Sequence, residues 1–141
     1  MTAAVRPSLA RAALAGYVAF LLVILLLPTG EVPSSAVSWT ALVAERLGAP
    51  DFLLAGARME FVLNALMVAP VPLLGALVWR RTTWRDWTAY LFVASASVEL
   101  FQGLALPGRS AAFVDVVANT LGAVMGGLAA ALLIRTSGAR G

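Results

Sequence analysis

The sequence predicts an all-α, polytopic membrane protein with four transmembrane helices and a short interfacial helix in the first outer loop. Of its 141 residues, 61% are hydrophobic and 12% are charged, and long segments separate the charges. A soluble domain carries about 25% charged residues, whereas a helix that crosses a bilayer needs about 20 predominantly apolar residues. The length fits a single domain over residues 1–141.

Four segments are long and apolar enough to cross a membrane. Three of them are runs of 19 uncharged residues, 12–30, 61–79 and 116–134, whereas the third in chain order, 87–108, contains one acid, Glu99. The predicted helices cover about residues 12–28, 60–80, 86–106 and 113–134, with an outer loop over 29–59. Pro70 and Pro72 are expected to kink the second helix, because proline lacks a backbone N–H.

The arginines predict the orientation, since short loops rich in Lys and Arg stay in the cytoplasm. One side of the membrane would hold Arg6, Arg11, Arg80, Arg81, Arg85, Arg135 and Arg140. The other side would hold Arg46, Arg58 and Arg109. We therefore expect both termini in the cytoplasm. A cleaved signal peptide over residues 1–36 is the alternative for the first helix, although its apolar core is long for that role.

The outer loop contains one further helical pattern. Trp39, Leu42, Val43 and Leu47 recur at helical spacing, with Ser38 available as an N-cap. The pattern predicts an interfacial helix, and a lid over an outward-facing site is the alternative.

Polar side chains lie where the membrane helices should be apolar. Glu99 and Gln102 are three residues apart on one side of the third helix. Asp115 and Asn119 are four apart on the fourth, and Asn64 lies in the second. A charged side chain inside a membrane helix costs about 2.5 to 3.5 kcal/mol on insertion scales, so its presence indicates a structural or functional role.

Counted along their helices, these polar groups converge near the outer third of the membrane. Arg109 lies in the turn directly above them, while Gly122 and Gly126 continue the polar side of the fourth helix as small packing positions. We predict an outward-facing polar pocket. The alternative is that the polar groups are interhelical hydrogen bonds of about 0.6 kcal/mol each.

The residue types limit the chemistry. The chain has no cysteine and no histidine, so a thiol nucleophile and the most common zinc ligand are both excluded. We expect no metal and no cofactor. The ten basic residues are all arginines, scattered over ends and loops rather than along one face, which argues against a nucleic-acid partner.

Residues 97–126, SVELFQGLALPGRSAAFVDVVANTLGAVMG, resemble the core signature of the VanZ-like family of small bacterial membrane proteins. The family pattern of acid, Gln, Arg, Asp, Asn and Gly corresponds to Glu99, Gln102, Arg109, Asp115, Asn119 and Gly122. Asn64 with Pro70 and Leu27 with Pro28 match further family positions. The strong part of the resemblance covers about residues 60–130.

The resemblance implies a protein of the bacterial cytoplasmic membrane and cell envelope, in a family whose founding member is linked to teicoplanin resistance. Two departures stand out. Family members often have more acidic residues between the Arg and the Asp, where this chain has Ala112 and Val114. They also often have an aromatic residue and a Gly in helix two, where this chain has Val68 and Pro72.

Three functions follow as hypotheses. In the leading one, the pocket binds an anionic membrane lipid or lipid-linked envelope precursor. Arg109 is the anchor, because the planar guanidinium group of arginine matches the geometry of phosphate or carboxylate. In the second, an intramembrane enzyme uses Glu99 or Asp115 as general acid or base. In the third, the chain is a non-catalytic assembly partner that packs through the Gly122 and Gly126 stripe, within an oligomer or against another protein.

Overall fold

Helices make up nearly all of the part of the chain that the computed structural model describes, residues 7–26, 31–105 and 112–138. A backbone in lipid must satisfy its own hydrogen bonds, and a helix does so within one segment. The helices are α1 (Pro7–Leu26), α2 (Glu31–Arg46), α3 (Asp51–Leu54), α4 (Gly56–Val68), α5 (Pro70–Val78), α6 (Trp84–Ala105) and α7 (Phe113–Gly138).

Three of the described spans are long and apolar enough to cross a membrane: Gly56–Val78, Trp84–Ala105 and Phe113–Thr136. A fourth, Ser8–Ile24, is apolar but shorter. Large apolar side chains remain exposed along these helices, among them Phe92, Leu100 and Leu132, as expected where lipid is the solvent. The predicted class, an all-α polytopic membrane protein, is confirmed.

The second predicted helix, residues 60–80, is divided into α4 and α5 at Ala69. Pro70 and Pro72 contribute no backbone N–H, and the bond from Leu73 N–H to the Ala69 carbonyl is long, at 3.4 Å. Ala69 itself keeps helical angles, φ −52° and ψ −36°, so the chain continues as one span. The span begins at Gly56, earlier than predicted.

The other helices also extend beyond their predicted ends. Helix α1 is described from Pro7, five residues before its predicted start. Helix α6 begins at Trp84, because Thr83 caps it: the Thr83 backbone N–H donates to Asp86 Oδ2 at 2.8 Å. Helix α7 continues to Gly138.

The outer-loop helix is present but starts earlier than the sequence suggested. Helix α2 begins at Glu31, so Ser38 lies inside it and is not its cap. Pro33 falls in the first turn, where proline is tolerated. The helix ends before Gly48, whose φ of 80° is the left-handed conformation favoured at helix C-termini. The four-residue α3 was not predicted.

Helix α7 is the centre of the fold, because it packs against α4, α5 and α6. Helix α1 lies on the other side of α5, where Leu14, Leu21 and Val71 form a buried cluster. The Tyr17 hydroxyl donates to the carbonyl of Met67 at 2.7 Å, which ties α1 to the end of α4.

Two glycines of α7 allow the closest helix contacts. A Cβ added at Gly122 would collide with the carbonyl oxygen of Ala65, and one at Gly126 would collide with that of Ala69. Such a Cβ at Gly126 would also lie 2.8 Å from Pro72 Cγ. The backbones of α4 and α7 therefore meet without a side chain between them, the arrangement that small residues permit in membranes.

Candidate functional site

Polar side chains of α4, α6 and α7 meet between the helices, at the end where α6 finishes and α7 begins. We call this group the polar cluster; its members are Asn64, Ser95, Glu99, Gln102, Asp115 and Asn119. Among the described residues, the polar or charged side chains that are buried are Ser95, Glu99 and Gln102. All three are on α6, on the side that faces α7.

Helices α4 and α7 are joined by one hydrogen bond of the polar cluster. Asn64 Nδ2 donates to Asp115 Oδ1 at 2.9 Å. Both side chains are partly buried, so the bond forms with limited competition from water. An amide donor beside a carboxylate gives a charge-assisted bond when the acid is ionised, and this bond fixes the position of the Asp115 side chain.

Helices α6 and α7 are joined by a second bond, from Asn119 Nδ2 to Ser95 Oγ at 2.9 Å. Ser95 lies four residues before Glu99, so helical spacing puts both on the same side of α6. Ser95 is the cluster member that the site prediction left out, although this spacing could have identified it. Its hydroxyl holds the Asn119 amide one helical turn beyond Asp115.

Glu99 connects the polar cluster to the residue directly before α7. Its side chain is only 8% exposed, and its Oε2 accepts a hydrogen bond from the backbone N–H of Ala112 at 2.9 Å. Ala112 directly precedes α7. The Glu99 carboxylate therefore fixes the backbone at the start of α7.

Every buried side-chain nitrogen and oxygen in the described part of the chain has a hydrogen-bond partner. This holds for the amide of Gln102, which is 4% exposed. A buried polar group without a partner is costly, most of all in a membrane. The polar cluster is thus a satisfied network that links three helices.

Arg109, the predicted anchor, lies outside the described residues, as does the rest of segment 106–111. Its position above the polar cluster and the outward-facing pocket remain predictions. No group of three or more His, Cys, Asp or Glu side chains that could hold a metal ion occurs among the residues that the structure describes.

Gly122 and Gly126 lie on the same side of α7 as Asp115 and Asn119, and the chain's own helices cover them. Their role within the described fold is to bring α4 and α5 close to α7. A partner helix could not reach this stripe without displacing α4 or α5.

The helices and their buried polar cluster define the class, a multi-pass helical membrane protein with a polar network between its spans. The VanZ/LLP1 family model matches residues 13–134, a range that includes the whole polar cluster and Arg109, and the chain belongs to this family. No curated protein and no solved structure matches the chain. Family membership confirms the resemblance seen in the sequence.

Proposed function

We propose that this protein binds an anionic membrane lipid or a lipid-linked envelope precursor at the turn between α6 and α7. Arg109 is the anchor for the headgroup, since a guanidinium can donate two parallel hydrogen bonds to phosphate or carboxylate. The polar cluster beneath the turn holds it in position. In this proposal the protein is a bacterial cytoplasmic-membrane protein with both termini in the cytoplasm and the turn outside.

The observation that carries the proposal is the bond between Glu99 and the Ala112 backbone. A carboxylate this deeply buried is costly in a membrane helix, yet its Oε2 accepts a hydrogen bond from the backbone of Ala112, the residue directly before α7. Packing alone would be served by an uncharged amide at that position. An acid adds negative charge below the turn, which favours a basic side chain such as Arg109 in the turn.

Asp115 supports the same interpretation from α7. Its carboxylate lies three residues after Ala112, in the first turn of the helix, and Asn64 holds one of its oxygens. Two carboxylates, one on α6 and one on α7, thus lie at the start of α7: Glu99 is bonded to Ala112, and Asp115 is in the first turn. We propose that they orient Arg109 rather than act on the ligand.

The test compares lipids that co-purify with the gently solubilised full-length protein, identified by mass spectrometry. The Arg109→Ala variant is compared with the unaltered chain and with Arg46→Ala, a matched loss of one exposed arginine at the end of α2. We expect a defined anionic envelope lipid with the unaltered chain and with Arg46→Ala, but not with Arg109→Ala. Equal retention by all three would overturn the proposal.

Glu99→Gln then separates a positioning acid from a reacting one. We expect the variant to bind the lipid more weakly because the turn loses its charged partner, without accumulation of unprocessed lipid. Turnover of the bound lipid by the unaltered chain, lost in Glu99→Gln while binding persists, would instead show an enzyme.

If the ligand is an envelope precursor, its capture should alter the response of cells to glycopeptide antibiotics, which act on such precursors. We therefore expect overproduction of the unaltered chain to change glycopeptide susceptibility, whereas Arg109→Ala at equal abundance should not. The same susceptibility in both strains would restrict the ligand to ordinary membrane lipids.

A further inference from the structure

A second concentration of functional groups lies at the opposite end of α6 from the polar cluster. Helix α6 has 22 residues, which at 1.5 Å per residue corresponds to about 33 Å, the thickness of a bilayer core. The polar cluster is near one end of α6, and Trp84 begins the other. Trp84 and Glu99 are 15 residues apart on this helix, about 22 Å, so the two groups cannot share one headgroup.

Aromatic side chains form an open cavity at this end, which we call the aromatic cup. It is lined by Trp79, Thr82, Trp87 and Tyr90. The rings of Trp79 and Trp87 have centroids 6.0 Å apart, and Tyr90 meets Trp87 edge-on at 6.1 Å. Trp79 and Tyr90 are 53% and 57% exposed, so their rings are available to lipid. Amphipathic rings favour the headgroup level of a membrane.

Hydrogen bonds hold the cup in shape. The Thr82 hydroxyl donates to the Trp79 carbonyl at 2.6 Å and accepts from Trp87 Nε1 at 2.9 Å. One residue further on, the Thr83 N–H and hydroxyl both donate to Asp86 Oδ2 at 2.8 Å. The turn that joins α5 to α6 is thus fixed at both ends, which lowers the entropy cost of binding a ligand there.

Three exposed arginines are close in sequence to the residues of the aromatic cup: Arg80, Arg81 and Arg85. We call them the arginine patch. The guanidinium of Arg85 lies 5.2 Å from the centre of the Trp84 ring, a cation–π distance that holds one cation beside the turn. The only acid in the turn and first helical turn is Asp86, and its Oδ2 is engaged by Thr83. The local charge is positive.

We infer that the aromatic cup and the arginine patch bind the headgroup of an anionic phospholipid in the leaflet opposite the polar cluster. The arginines hold the phosphate, and the exposed rings contact the glycerol and the upper acyl chains. A zwitterionic phospholipid offers the same apolar contacts but a weaker net attraction. The site therefore selects by charge, and it is independent of the proposed Arg109 site.

The test uses tryptophan fluorescence of the full chain in bilayers of phosphatidylcholine containing a third phosphatidylglycerol. In a Trp39→Phe background, all remaining tryptophans lie at this end of α6: Trp79, Trp84 and Trp87. Bromine on an acyl chain quenches a tryptophan that it contacts. Bromine is placed on either the phosphatidylglycerol or the phosphatidylcholine, and the ratio of quenching gives the preference for the anionic lipid.

We expect the unaltered site to prefer phosphatidylglycerol and each Arg→Gln change in the arginine patch to lower that preference about fivefold, the effect of one basic side chain near an anionic surface. Arg135→Gln is the matched control, an exposed arginine at the end of α7 that lies on the same side of the membrane but outside the patch. It should leave the preference unchanged. Circular dichroism checks that each variant keeps its helices.

Replacing all three patch residues with Lys tests whether the positive charge alone gives the preference. Lysine keeps the charge but lacks the planar guanidinium group of arginine. We expect this variant to retain most of the preference, and added salt to weaken it. The inference is overturned if the unaltered chain shows no preference, or if Arg135→Gln reduces it as much as Arg81→Gln does. The latter would show attraction to general surface charge instead of a site.

Discussion

Gly126→Ala tests the packing of α7 because the structure predicts both its direction and its size. The new Cβ would collide with the Ala69 carbonyl oxygen and lie 2.8 Å from Pro72 Cγ, where ordinary contact starts at 3.4 Å. The carbonyl belongs to the backbone and Pro72 is fully buried, so α5 must move away from α7. Overpacking of this kind costs about 1 to 3 kcal/mol. Since the atom in the way belongs to the backbone, we expect the upper part of this range, about 2 to 3 kcal/mol. Alanine's better helix propensity returns up to about 1 kcal/mol, so we expect a net loss of about 1 to 3 kcal/mol.

The assay is reversible unfolding in mixed micelles of increasing SDS content, followed by tryptophan fluorescence. Gly16→Ala is the matched control, because a Cβ at Gly16 in α1 has nothing within 4 Å. That variant should gain up to about 1 kcal/mol in its unfolding free energy from helix propensity alone. If Gly126→Ala is as stable as the unaltered chain while Gly16→Ala behaves as expected, the close approach of α5 and α7 is refuted.

Three further predictions concern single hydrogen bonds, each measured in the same unfolding assay. A double-mutant cycle of Asn64→Leu and Asp115→Ala, each of which removes one partner of the bond, should give a coupling of about 0.6 kcal/mol and at most about 1.7; zero coupling would show that the bond contributes nothing. Tyr17→Phe should lose about 1 kcal/mol, since it removes the donor to the Met67 carbonyl, and an unchanged value would mean that lipid headgroups or water replace that bond. Thr83→Ala should lose about 1 kcal/mol with the cap of α6, and a loss of helicity confined to the start of α6, seen by hydrogen exchange, should accompany it.

The class of fold could be predicted from the sequence because lipid imposes a simple rule. Charged residues are rare within spans, so the long gaps between them mark the helices, and Pro70 with Pro72 marks the break between α4 and α5. The predicted start of α2 was wrong. Ser38 is a residue type that often caps helices, but the chain is already helical at Glu31. A serine that could cap a helix therefore lies inside one, because the helix begins seven residues before it.

The polar cluster was predictable in composition but not in pairing. Spacing alone placed Glu99 and Gln102 on one side of α6. It did not show that Asn64 reaches Asp115, or that Asn119 reaches Ser95. Those partners depend on the rotation of each helix about its axis, which is set by contacts between helices and not by any one segment.

The glycine and polar positions of α7 form one structural unit. Asn64 and Ala65 are neighbours in α4: the first donates to Asp115, and the carbonyl of the second lies against Gly122. Any side chain at Gly122 would push α4 outward and lengthen the bond from Asn64 to Asp115. The spacing from Asp115 to Gly122 is therefore a geometric requirement, since the glycine sets the distance between α4 and α7 at which Asn64 can hold the Asp115 carboxylate.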